Sequence, residues 1–314
     1  MLRVLLFVLI VMSRDSLAQT ALPEFDKLWN YSKPAETEKV FRELVPQADS
    51  SADLNYALEL QTQIARTQAL QTKFEDAHKT LDAVRSALDQ RRGSEKMRAS
   101  LRYELERGRV YNSSNQKEKA IEHFNRALEL GIALKEDNLA VDAAHMLGIA
   151  TTGEASLMWN ERAMQMAEAS EDKRAKGWLG ALYNNIGWTY HGMGKNDVAL
   201  SYFEKDLLWY EERKLENQSR IARWSIAKMH RLLGDPAKAF EEQKAILAEI
   251  EDKKIDQDGY VFEELGECLI AMDRDEEEWK PYIQKAYDLL SQDAWSVSQE
   301  PEKHQRLRKL LEID

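Results

Sequence analysis

Six histidines, His78, His123, His145, His191, His230 and His304, are the side chains best suited to proton transfer or metal ligation near neutral pH. A metal site on a single helix face needs two ligands four residues apart, and no two of these histidines stand at that spacing. Carboxylate runs such as Glu211-Glu212, Glu263-Glu264 and Asp275 to Glu278 have the composition of an acid–base pair, but such runs are usually helix starts or solvated faces. Gly192-Met193-Gly194 lacks the preceding strand that a phosphate-cradling loop requires. No Gly-x-Ser-x-Gly, His-Glu-x-x-His or P-loop pattern occurs. Cys268 sits in the apolar stretch LGECLIA and reads as a buried, inert thiol. With no nucleophile beside a base, the residues point away from an enzyme, and no catalytic residue, metal ligand or cofactor is assigned. What remains is recognition: Arg and Lys side chains interleaved with Trp and Tyr, the usual composition of an energetic binding patch.

The elements that would position them follow from composition. The chain has 314 residues, 43% hydrophobic and 32% charged, with only 13 Gly and 6 Pro. Apolar content at this level supports a buried core. Scarce turn residues argue against an all-β or α/β fold and for an all-α one. A single cysteine excludes an intramolecular disulfide framework, and a net charge of −11 argues against nucleic acid as a partner. Arg3, the apolar run Val4 to Met12 and Ser16-Leu17-Ala18 form a secretory pattern, with cleavage expected after Ala18. Arg14 and Asp15 blur it, and the competing reading is a buried N-terminal helix. No later stretch is long and apolar enough to span a bilayer, so the mature chain is expected to lack a transmembrane segment.

Internal repeats decide the architecture. Gly108 is followed by Tyr111 at +3, Ala120 at +12, Phe124 at +16 and Ala127 at +19; Gly187 is followed by Tyr190, Ala199 and Phe203 at the same first three offsets. Ala65 gives the frame with Ala77 and Leu81, and Ala227 with Ala239. Gly108, Gly148, Gly187, Ala227 and Gly266 recur at near-constant intervals, with Ala65 one slightly longer interval upstream. Each unit reads as two helices joined by a turn, Ser113-Ser114-Asn115, Gly192-Met193-Gly194 or Leu233-Gly234-Asp235-Pro236, crossing where a small residue permits close approach: Gly108 against Ala120, Gly187 against Ala199. One hairpin cannot bury its own apolar faces, so stacked neighbours must. The third copy is short, its closing Ala163 standing at +15 from Gly148, and the fifth has Gln243 where an aromatic is expected. Segments Ala133 to Asp142 and Asp172 to Gly180 lengthen the period. Phe25 to Tyr31 and Pro34 to Pro46 read as two short N-terminal helices, and Pro301 to Ile313 as a final amphipathic one. The expected organisation is a signal peptide over 1–18, capping helices over 19–52, about six repeats over 53–290, and a capping helix over 291–314.

This pattern resembles the tetratricopeptide repeat, a small residue followed by Tyr, Ala, Phe and Ala at these offsets, in a variant of about 40 residues rather than the usual 34 or so. The resemblance implies a right-handed α-solenoid whose first helices line a concave face. The lining stripe would carry Arg102, Arg109 and Asn112, then His145, then Asn184, Trp188 and His191, then Trp224, Lys228 and Arg231, then Tyr260, Glu263 and Glu267. Basic groups cluster in the second and fifth copies, aromatics lie between, and the sixth copy is acidic. Such a surface suits a peptide segment or protein loop carrying carboxylates beside apolar anchors. The plainer reading has Trp188 and Trp224 packed between helices and the arginines paired with neighbours. Some co-chaperones of the family clamp a C-terminal carboxylate with Lys and Asn; Asn184, Lys228 and Arg231 are only loosely similar, because Trp188 occupies a place where that clamp has Asn. His230 falls where Tyr111 and Tyr190 fall and reads as a packed core residue.

Three functional readings compete. The first is an exported, non-enzymatic scaffold binding a protein or peptide partner. The second is an intracellular regulator or peptide sensor with its N-terminus retained, and the third an enzyme with an unrecognised site. Sequons at Asn30, Asn112 and Asn217 bear on the first alone, in a host that glycosylates exported proteins.

Overall fold

A computed structural model describes residues 22–51, 53–94 and 97–313; the segment read as a signal peptide lies outside them. The described residues form helices and no strand. α1 (Pro34–Ser50) precedes six antiparallel hairpins: α2 (Leu54–Leu70) with α3 (Phe74–Asp89), α4 (Arg98–Ser113) with α5 (Lys117–Leu134), and α6 (Asp137–Ala150) with α7 (Gly153–Ala169). The one-turn α8 (Lys173–Lys176) leads into α9 (Leu179–Gly192) with α10 (Asn196–Glu211), α11 (Glu216–Leu232) with α12 (Pro236–Asp252), and α13 (Gly259–Ala271) with α14 (Glu276–Leu290). α15 (Ala294–Gln299) and α16 (Pro301–Leu311) close the array. Helices pack chiefly on their neighbours in sequence, and the core runs along the stack as successive clusters, as a helical solenoid requires.

The hairpin turns share one chemistry. Thr72, Asn115, Gly194, Gly234 and Asp273 each stand two residues past the end of a first helix, with φ between 56° and 95°. The following amide reaches back to a helix carbonyl five residues earlier: Gln116 N to Tyr111 O at 2.8 Å, Lys195 N to Tyr190 O at 2.9 Å, Asp235 N to His230 O at 2.9 Å. This left-handed cap satisfies carbonyls the helix end would orphan. Lys135, Lys214 and Lys254 take the same conformation between hairpins.

The close approach in each hairpin differs from the expected glycine–alanine pair. A Cβ on Gly108 would fall 2.5 Å from the Phe124 ring, and one on Gly187 2.6 Å from Phe203. The glycine thus makes room for the aromatic at +16. This accounts for the irregular copies. Where the first helix carries Ala65 or Ala227, the +16 residue is the smaller Leu81 or Gln243, both fully buried. In the short third copy Asn160 takes the place against Gly148, where a Cβ would fall 2.6 Å from its side-chain amide. The His230 side chain is largely buried and paired through Nδ1 with Glu242 at 2.7 Å.

At the N-terminus only Phe25–Lys27 forms a 3₁₀ turn where a longer helix was expected. Asn30 Oδ1 accepts from the Ser32 amide and hydroxyl at 3.2 and 2.7 Å, and the Thr37 hydroxyl accepts from Asn30 N at 3.1 Å. Those local bonds compete with helix continuation. α1 runs past Pro46 to Ser50; Pro46 is exposed, so the carbonyl deprived of a donor can face water.

Candidate functional site

In the N-terminal half, the first helices α2, α4 and α6 turn their charges on one another. Arg109 donates to both carboxylate oxygens of Asp142 at 2.5 Å and stands 3.2 Å from Glu106, which Arg66 approaches at 3.7 Å. Burial opposes ionisation of Asp142, but Arg109 outweighs it and holds the carboxyl below its usual range. Arg102 lies 3.5 Å from Glu59, which Arg98 binds at 2.8 Å. The Arg66 guanidinium lies over Trp29 and Tyr31, whose rings stack at 4.7 Å. His145 is buried beside Trp178, and burial pushes its pKa down to about 4, so the ring is neutral at pH 7. Arg102, Arg109 and His145 are therefore interior groups with fixed partners, and Asn112 is half-buried at the end of α4.

The C-terminal half is open. A cleft of about 690 Å³ is lined by Trp188 and His191 of α9, by Asn217, Arg220, Ile221, Trp224 and Lys228 of α11, and by Tyr260 and Val261 of α13, with Ile246, Asp258, Glu300 and Lys303 completing its walls. Positions 217, 220, 221, 224 and 228 fall on one helical face, which is why α11 supplies most of it. Trp188, Trp224 and Tyr260 form an aromatic ladder, with centroids 5.8 and 6.0 Å apart. Their polar handles are satisfied inside the protein. Trp188 Nε1 donates to Asn184 Oδ1 at 3.1 Å, Trp224 Nε1 to Tyr260 O at 3.1 Å, and the Tyr260 hydroxyl to Glu300 at 2.8 Å. Those bonds fix the rings. Lys228 and Lys303 lie over Trp224 and Tyr260 at 5.3 and 4.2 Å, and Ile221 is 48% exposed at the mouth.

The remaining residues of the expected stripe are committed elsewhere. Arg231 shares the buried Glu264 with Lys228. Glu263 and Glu267 are covered by α16, through Lys303 at 2.9 Å and Arg306 at 2.8 Å. The cleft residues that sequence reasoning missed, Arg220, Asn217, Asp258, Glu300 and Lys303, come from a helix start, a loop and the terminal helix. Among the described residues, no cluster of three His, Cys, Asp or Glu side chains is arranged to hold a metal, and no helix is long and apolar enough to cross a membrane. Burial pushes the Cys268 thiol up to about 12, which leaves it protonated.

The family model for the tetratricopeptide repeat matches residues 105–130 and 180–211, the hairpins α4–α5 and α9–α10. Those two hairpins match the tetratricopeptide repeat. The two matched repeats are those in which glycine faces phenylalanine. No curated protein sequence matches the chain. Among solved structures, a signal transduction ATPase with a tetratricopeptide repeat sensor from Pyrococcus horikoshii superposes with a TM-score of 0.66 at 14% identity, over 87% of this chain and 42% of its own. The chain thus spans less than half the length of that protein. RapI in its apo form gives 0.67 at 11% identity over 92% and 85%. The quorum sensor NprR from B. thuringiensis gives 0.62 at 14% over 91% and 79% in its apo form, and 0.55 at 13% over 92% and 88% in complex with its cognate peptide NprX. At such identities the likeness is one of fold: a stacked helical array of tetratricopeptide type.

Proposed function

We propose that the protein is a non-enzymatic, exported scaffold that binds a peptide segment of a partner in the cleft formed by α9, α11 and α13. The observation that carries this reading is the ladder of Trp188, Trp224 and Tyr260, held rigid by internal hydrogen bonds and facing an open cleft. Rigid aromatic anchors lose little conformational entropy on binding and supply large contact area. The structural likeness to NprR, which has been crystallised with a cognate peptide, supports the same reading. Lys228, Tyr260, Glu300 and Lys303 of the cleft are tied to structural partners, which favours recognition over acid–base chemistry. Arg102 and Arg109 of the second repeat, and Lys228 and Arg231 of the fifth, are neutralised internally, so the binding surface narrows from the whole stripe to repeats four to six.

Selection of random hexapeptides on the full-length protein tests it. Trp188→Ala and Trp224→Ala should each weaken the selected peptides at least tenfold while leaving the helical circular dichroism unchanged; equal binding by the variants would refute the cleft. Export rests on the pattern Arg3, Val4 to Met12 and Ser16-Leu17-Ala18. N-terminal sequencing of the native protein should begin at Gln19, and a start at Met1 would favour the intracellular reading.

A further inference from the structure

We infer that Arg220 receives a carboxylate of the bound peptide, so that the cleft selects an acidic group placed close to an apolar side chain. The inference rests on the peptide-binding reading above and adds the ligand's charge and its spacing.

The cations of the cleft differ in what they have left to give. Lys228 donates to Glu264 at 2.7 Å. Lys303 is held between Glu263 at 2.9 Å and Glu300 at 3.2 Å. Arg220 is held more loosely: its ion-pair partner, Glu249, stands 3.8 Å away, outside hydrogen-bond range. Glu249 is already engaged by Arg223 and by Lys253 at 3.2 Å. The direct hydrogen bond of Arg220 goes to a neutral group: it donates through a terminal nitrogen to the Asn217 side chain. That bond steers a guanidinium with several unused N–H donors along the cleft wall, and a guanidinium in a partly desolvated site is matched by a carboxylate. Lys228 and Arg231, the basic pair that the sequence alone suggests for this role, are spent on Glu264.

Spacing follows from the helix. Arg220 precedes Trp224 by one turn, roughly 6 Å along the axis, while an extended peptide advances about 3.3 Å per residue. The carboxylate should therefore lie one or two residues from the side chain that stacks on Trp224 and Ile221.

The test uses two synthetic random hexapeptide pools, one with free C-termini and one amidated, on the full-length protein and on Arg220→Gln, Arg220→Lys, Arg220→Glu and Trp224→Ala. Peptides enriched on the native protein should carry a carboxylate within two residues of an aromatic or branched aliphatic residue. Arg220→Gln should weaken them about ten- to hundredfold, the usual worth of a hydrogen bond to a charged group. Arg220→Lys should keep the acidic preference, and Arg220→Glu should turn it basic. Loss of binding on amidation would assign the carboxylate to the peptide terminus, and loss on Asp/Glu→Asn/Gln exchange within the peptide to a side chain; either supports the inference. Enriched peptides without acidic bias, or bound equally by Arg220→Gln, would overturn it while leaving the cleft intact. No enrichment over Trp224→Ala would overturn the peptide-binding reading and this inference with it.

Discussion

Arg231 grips Glu264 with a two-pronged fork, Nε to Oε2 at 2.8 Å and a terminal nitrogen to Oε1 at 3.0 Å, and Lys228 joins the same carboxylate at 2.7 Å. Glu264 is 1% exposed. Burial opposes its ionisation, but the two cations prevail and keep its pKa below the usual range. The fork fastens α11 to α13 beneath the cleft floor. Removing the acceptor leaves two poorly hydrated cations without a counter-charge. Glu264→Gln should cost about 3 kcal/mol of unfolding free energy in urea titration. It should also loosen Lys228, so that binding of acidic peptides becomes less dependent on Arg220. A cost no larger than that of an ordinary surface substitution would show the fork to be incidental.

Gly108 is required by Phe124. A methyl group there would overlap a fully buried ring at 2.5 Å, which outweighs the helix propensity of about 1 kcal/mol that alanine gains. Gly108→Ala should destabilise by about 1–3 kcal/mol. The double variant with Phe124→Leu should cost less than the sum of its single changes, because it reproduces the Ala65–Leu81 pairing of the first repeat. A double-mutant cycle on chemical denaturation checks the sign of the coupling.

Two buried groups give opposite pH dependences. Asp206 lies 1% exposed where the other second helices place Val84, Ala127 or Ile246, and burial raises its pKa to about 7. An acid whose pKa is raised in the fold contributes stability at low pH that is lost as pH climbs from about 4 through 7. Asp206→Ala should therefore stabilise the protein at pH 8 by about 2–4 kcal/mol and do little at pH 4. His145, with its pKa depressed to about 4, works the other way: stability is full above about 6.5 and falls as pH drops towards 4. Between pH 4 and 6.5 the two slopes offset each other in the native protein. In Asp206→Ala the histidine slope should stand alone, as a melting temperature that falls on acidification; a flat profile would contradict the neutral buried assignment of His145.

Lys214, with φ of 55°, caps α10 in the left-handed region at an exposed turn. Lys214→Gly should raise stability by a few tenths to about 1 kcal/mol, since glycine adopts this conformation without steric cost. A fall in melting temperature would mean that the lysine side chain contributes more than its backbone strain.

Much of this architecture was legible in the spacing of small residues, because Gly108, Gly148, Gly187 and Gly266 each mark a place in its hairpin where a side chain of the second helix leaves no room for a Cβ. The aromatic ladder was legible too: Trp188, Trp224 and Tyr260 recur on the same stripe. The ionic residues were harder to read. Arg109, Lys228, Glu263 and Glu267 look like binding groups one at a time, yet their partners Asp142, Glu264, Lys303 and Arg306 each stand roughly one repeat further along the chain. Searching for opposite charges at the repeat spacing would have paired them. Arg220 gave no such signal, because its role depends on what Glu249 is already doing.

Hydrogen exchange on the full-length chain, with and without a hexapeptide selected on it, bears most directly on the cleft. Bound peptide should slow exchange in α11 around Ile221 to Lys228 and at the start of α13 near Tyr260, with little change in α2 to α6. Protection confined to the second helices α10 and α12, or to the N-terminal repeats, would contradict a binding site between Trp188, Trp224 and Tyr260.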